Sequence, residues 1–167
     1  YGHAPRTRPM DYFTEVVEFS LLSMEPGRFM TQHVEEPGVP VFHTRFAYED
    51  AFLELITFAT NREGEGRVDN VILEVRPKTA RRLHVNPILL LRTRKEVAVK
   101  AESGVSTVRL EGESGPLFMA ANVAFGRRDD GRGAVLGVTR GVAAPEQPLR
   151  CLFRFPQQGQ PLEKIRE

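Results

Sequence analysis

The sequence predicts a mainly β domain (α+β overall), an antiparallel β-sandwich or partly open barrel of about seven strands with one covering helix. Three observations lead there. Short segments with apolar and polar residues in strict alternation recur from residue 71 to residue 155. Turn-forming runs separate them: Ser103-Gly104, the Gly-rich 112–115 and the charged 126–133. Only 48–60 spaces its apolar residues as a helix does, with Phe52, Leu55, Ile56 and Ala59 on one face and Glu49, Asp50 and Glu54 toward its start.

Taken in order, residues 1–9 hold two prolines and no apolar period and read as a flexible tail. A single globular domain is expected over 10–156, followed by a loosely ordered tail over 157–167. The segment 14–23 is read as a strand because its β-branched and aromatic content outweighs a competing helical spacing of Phe13, Val17 and Leu21. Residues 25–43 carry Pro26, Pro37 and Pro40, so a long irregular connection is expected there. Strands follow at 71–76, 86–92, 95–101, 106–111, 117–125, 134–140 and 149–155. The 117–125 run is apolar on both faces, as in a strand covered on both sides. In the last strand Leu149, Cys151, Phe153 and Phe155 face inward, and Arg150 and Arg154 face outward.

A chain of 167 residues buries roughly 68–70% of its unfolded surface on folding, so no metal or disulfide staple is required. With Cys151 as the single cysteine, no intrachain disulfide can form. Asn61, Asn70, Asn86 and Asn122 all lack a hydroxyl residue two positions on, so no glycan acceptor exists. Both absences favour an intracellular setting, cytoplasmic or nuclear. No apolar run approaches the roughly 18 residues of a membrane helix, and no membrane partner is expected. The opening YGHAPRTRPM has no apolar signal core; a start at Tyr1 fits an excised domain or a processed product.

The formal net charge of +1 conceals a sorted distribution. Residues 1–70 hold 6 Lys and Arg against 12 Asp and Glu, and residues 71–167 hold 17 against 10. Such asymmetry points to an anionic partner or to pairing between the halves, within one molecule or between copies. The candidate anion or nucleic-acid site comprises Arg76, Lys78, Arg81 and Arg82 between two strands, Arg127, Arg128 and Arg132 in the 126–133 loop, and Arg150 and Arg154 on the last strand. Guanidinium groups on exposed turns are what phosphate recognition uses. Against it, Asp129 and Asp130 share the loop tip, and exposed aromatic residues for base stacking are not evident. Arg and Lys on strands also serve simply to keep sheet edges from pairing.

Other constellations carry less. His33 and His43 flank Glu35 and Glu36, but at no recognised ligand spacing, and no metal or cofactor is expected. His84 beside Arg81 and Arg82 reads as a surface loop histidine. Asp69 with Glu74-Val75-Arg76 resembles the strand-borne residues of metal-dependent nucleases, although the first carboxylate lies too near in sequence and the base is Arg rather than Lys. Cys151 reads as a small buried hydrophobe, and the glycines of 131–137 lack the Lys-Ser/Thr ending of a phosphate loop. No residue set supplies both a nucleophile or base and a group to orient it. The expected function is therefore a non-catalytic protein-interaction or assembly module with partly electrostatic contacts, its partner another protein or a second copy. The alternative is a nucleic-acid-binding β domain on basic strands and loops, with DNA or RNA as partner. A metal-dependent hydrolase or nuclease comes third.

Overall fold

A computed structural model describes residues 15–23, 25–62, 66–129, 134–138 and 141–157. They form fourteen strands: β1 (Glu15–Leu21), β2 (Arg28–Glu36), β3 (Val39–Ala47), β4 (Ala51–Arg62), β5 (Gly66–Pro77), β6 (Leu83–Val85), β7 (Pro87–Thr93), β8 (Val97–Glu102), β9 (Val105–Leu110), β10 (Leu117–Ala121), β11 (Phe125–Asp129), β12 (Ala134–Val138), β13 (Gly141–Ala143) and β14 (Leu149–Pro156). A large sheet has the order β2-β3-β4-β5-β14-β10-β9-β8, a smaller one β1-β7-β12-β11, and β13 pairs with β6. Every pairing is antiparallel. The mainly β expectation holds, with more strands than the sequence suggested.

Both larger sheets feed one core. Leu53, Leu73, Val75, Cys151 and Phe153 of the large sheet and Leu89 and Leu91 of the smaller one are almost completely buried in a single cluster. The rings of Phe19 (β1) and Phe153 (β14) lie 4.9 Å apart. Two hydrogen bonds tie the sheets where backbone donors would otherwise be stranded: Leu21 N donates to the Tyr48 hydroxyl at 3.2 Å, and Phe125 N to Ser106 Oγ at 3.1 Å.

The expected helix over 48–60 is absent; Ala51–Arg62 is strand β4, and no helix occurs among the described residues. The helical spacing of Phe52, Leu55, Ile56 and Ala59 misleads because this strand is half-buried on both sides. Leu53 and Leu55 pack into the core, while Phe52, Glu54, Ile56 and Phe58 occupy the outer face. Twelve cross-strand pairs with β5, from Ala51–Pro77 to Arg62–Gly66, hold the segment extended. Long-range pairing overrides local spacing here.

The irregular connection expected over 25–43 is also corrected: it is largely the hairpin β2–β3. Its prolines avoid the hydrogen-bond ladder. Pro26 precedes β2, Pro37 lies in the turn with Gly38 at φ +90, and Pro40 sits before Phe42, where pairing with β4 begins. A Pro-Gly pair with positive φ at the glycine is the type II turn signature. Ser103-Gly104 closes β8–β9 as a two-residue loop with φ of 50 and 80, the handedness that tight hairpins prefer. The expected 117–125 strand is broken into β10 and the start of β11, and much of the 126–133 loop belongs to β11. Residues 1–9, residues 158–167 and Arg132 lie outside the described residues.

The β2–β3 hairpin ends the large sheet as a wing. Every residue of β2 is exposed. Among the described residues no helix is long and apolar enough to cross a membrane. Urea titration of two truncations on the core side of β3 and β4 tests how far burial extends toward the wing. Leu53→Ala, at a fully buried site, is expected to cost about 2–5 kcal/mol. Phe42→Ala, 42% exposed on the wing, is expected to cost less than about 1 kcal/mol. Equal costs would mean that Phe42 is as fully covered as Leu53.

Candidate functional site

Charge gathers on the outer face of the large sheet. Strand register sets Arg45, Glu54, Glu74 and Arg150 side by side in one row across β3, β4, β5 and β14. Glu54 and Glu74 are direct cross-strand neighbours, an unfavourable like-charge pair in isolation. Cations on both flanks offset it. Arg45 Nη2 donates to both oxygens of Glu54 at 3.4 Å. Arg76 Nε donates to one oxygen of Glu74 and Arg150 Nε to the other. The Glu74 side chain is only 3% exposed, against 49% for Arg76 and 63% for Arg150. Two half-solvated guanidinium groups therefore hold a carboxylate that water scarcely reaches.

The nine predicted basic residues fare differently. Arg76 and Arg150 meet on Glu74. Lys78 donates to the Tyr48 carbonyl, its ammonium 5.4 Å from the centre of the Phe52 ring. Arg81 and Arg82 are exposed on the connection to β6. Arg154 is half-buried on β14 and borders a surface hollow. Arg127 belongs to the smaller sheet and donates across to the Val97 carbonyl of β8 in the large one, and Arg128 follows it on β11. The structure thus brings together Arg76 and Arg150, with Lys78 two positions beyond Arg76 in sequence.

Asp69 and Glu74 stand five residues apart on one strand and so face opposite sides of it. Asp69 is engaged by Arg67 at 2.8 Å and by Gln157 at 2.8 Å. The residues of the hydrolase reading are not assembled. His33 and His43 are register partners with rings stacked at 5.0 Å. His43 Nδ1 lies 3.2 Å from Glu54 Oε1, and its Nε2, buried without a hydrogen-bond partner, lies 3.8 Å from Glu35 Oε2. Among the described residues no three His, Cys, Asp or Glu side chains converge to hold a metal ion.

Two adjoining hollows, of about 410 and 310 Å³, open over β8, β9, β10 and β14, sharing Glu102 and Val105. Lys100, tied to Glu102 at 2.7 Å, and Arg109, donating to the Gly115 carbonyl, line the first. Neither hollow gathers an acid–base pair with a third group to orient it.

Sequence reasoning missed the wing. Among the described residues seven large hydrophobic side chains are exposed, and five of them, Phe29, Met30, Val34, Val39 and Phe42, lie on β2 and β3. Phe29 is paired with Phe46 and Val34 with Phe42, on the side of the sheet that continues the core. The usable signal was the Pro37-Gly38 turn flanked by alternating residues. The tip beside it carries Glu35 and Glu36.

No family model matches this chain, and no curated protein is similar to it in sequence.

Two measurements follow from this geometry. Glu74 retains one guanidinium when the other is removed, so Arg76→Met and Arg150→Met should each cost under about 1 kcal/mol, and together about 2–3 kcal/mol. A urea-denaturation cycle showing strict additivity would contradict the shared carboxylate. Burial pushes the Cys151 thiol up to about 11, so almost no thiolate forms at pH 8. A disulfide reagent should label the folded chain at least about tenfold more slowly than the urea-unfolded chain. Comparable rates would mean that Cys151 is accessible.

Proposed function

We propose that this chain is a non-catalytic protein-interaction or assembly module that docks through the β2–β3 wing. The observation carrying this reading is the concentration of exposed apolar side chains on one hairpin at a sheet edge. Contiguous exposed apolar surface rimmed by polar groups is a common mark of an interaction site. Glu35 and Glu36 at the tip add the electrostatic part, steering the approach more than tightening it. The scaffold is, in this reading, a two-layer sandwich of eight strands over four; the core shared by both larger sheets supports it. A working place inside the cell fits the single buried thiol.

The alternative, nucleic-acid binding through the arginines, has thinner support. Arg76 and Arg150 are engaged by Glu74, and Arg127 reaches a carbonyl from another sheet. Retention on immobilised DNA or RNA at low salt that fell steeply with ionic strength would restore that alternative.

A photo-crosslinking residue placed at Phe42 tests the docking reading. Phe42 is 42% exposed, and Val142, 46% exposed on β13, serves as control. Discrete adducts are expected in cells from position 42 and not from position 142. Adducts from neither position, or equally from both, would remove the wing as the docking surface.

A further inference from the structure

The wing reading leaves the partner open, and β2 itself narrows it. Its sequence, RFMTQHVEE, runs from a cation at Arg28 to two anions at Glu35 and Glu36, with an apolar and polar centre. Among the described residues β2 pairs only with β3 and forms one edge of the large sheet. We infer that the partner seated on the wing is a second copy of this chain, joined β2 to β2 in antiparallel register; this rests on the docking reading above.

The strand is electrostatically self-complementary in one direction only. Antiparallel pairing across a two-fold axis sets Arg28 of each copy opposite Glu36 of the other, so the axis generates two ion pairs, one at each end of the seam. Parallel pairing would set like charge against like. The same register brings Met30 of each copy opposite Val34 of the other. A two-fold axis perpendicular to the sheet keeps the core-facing sides together. Phe29, Val34 and Phe42 of the two copies then form one apolar surface across the seam in place of two exposed ones. Irregularities between Phe29 and Thr31 and between Val34 and Glu36 leave a regular central stretch from Thr31 to Val34 to carry the backbone ladder. The edge thus offers main-chain pairing for affinity and side chains that fix direction.

Cysteine placement tests the register directly, because Cys151 is fully buried and does not interfere. Chain carrying Arg28→Cys, mixed with chain carrying Glu36→Cys and oxidised, should give a covalent mixed dimer in high yield. Each variant alone should give little. Opposed antiparallel residues have Cα separations of about 4.5–5.5 Å, within disulfide reach. Light scattering of the whole chain should show mass rising toward a dimer with concentration. Glu36→Arg should weaken that association about tenfold, and adding Arg28→Glu should restore most of it. Circular dichroism confirms that each variant is folded.

A constant monomer mass up to millimolar concentration, or covalent yield no greater in the mixture than in either variant alone, would overturn the inference. Position 42 separates this failure from that of the wider reading. A monomer that still gives discrete adducts from Phe42 with another protein removes only the second copy. A monomer giving none removes the wing as well.

Discussion

A carboxyl group with almost no access to water constrains everything around it. Glu74 sits in the middle of the large sheet with 3% of its side chain exposed, and it is held by Arg76 and Arg150. Removing a charge from water costs several kcal/mol unless partners replace the solvent. Those partners must come from defined positions: Arg150 from the adjacent strand, directly opposite, and Arg76 from two residues along the same face. A slip of one residue in β5 or β14 would turn the carboxylate or its guanidinium into the apolar layer occupied by Leu73, Val75 and Cys151. The ion row therefore fixes register at the centre of the sheet. Register in turn decides which side chains build the core. Arg45 and Glu54 extend the same constraint to β3 and β4.

The sorted charge of the sequence resolves into this kind of pairing more than into a single basic surface. The acidic first strand reaches the basic half directly: Glu18 pairs with Arg92 at 3.1 Å and Glu15 with Lys95 at 3.2 Å, across β1 and β7 or just beyond. Within the second half Glu74 engages two of the nine arginines and lysines that composition singled out. Other members of that set, Lys78 and Arg127, satisfy backbone carbonyls. A charge imbalance between two halves of a chain is weak guidance to partners when the halves fold against each other.

What the sequence made legible, and what it hid, follows from burial. Strands with one wet face, such as Leu149–Phe155 with its alternating arginines, were read nearly to the residue because alternation survives only where one side meets water. Strand β4 failed that test. With Phe52, Ile56 and Phe58 outside and Leu53 and Leu55 inside, hydrophobicity carries no period of two, and the remaining spacing imitates a helix. The β2–β3 hairpin was hidden for another reason. Prolines signal a break in pairing unless each falls where no amide is needed, and Pro26, Pro37 and Pro40 all do. The wing's exposed side chains were invisible because a sequence shows that Phe29 and Phe42 are apolar, not that the fold leaves them exposed. That exposure follows from the strand order, which places β2 at one edge of the large sheet.

The two edges of the large sheet are protected in different ways. At the β8 edge, Arg127 from the smaller sheet donates to the Val97 carbonyl. A side chain from the other sheet thus occupies part of that edge, as sheet proteins commonly arrange to discourage strangers. The β2 edge is guarded differently. It is long and wholly exposed, with irregularities toward its ends and charges of opposite sign at its termini. Protection of that kind is directional: it rejects a strand of arbitrary charge and accepts one whose ends carry the reverse order. The strand with that order nearest to hand is its own copy, turned end for end.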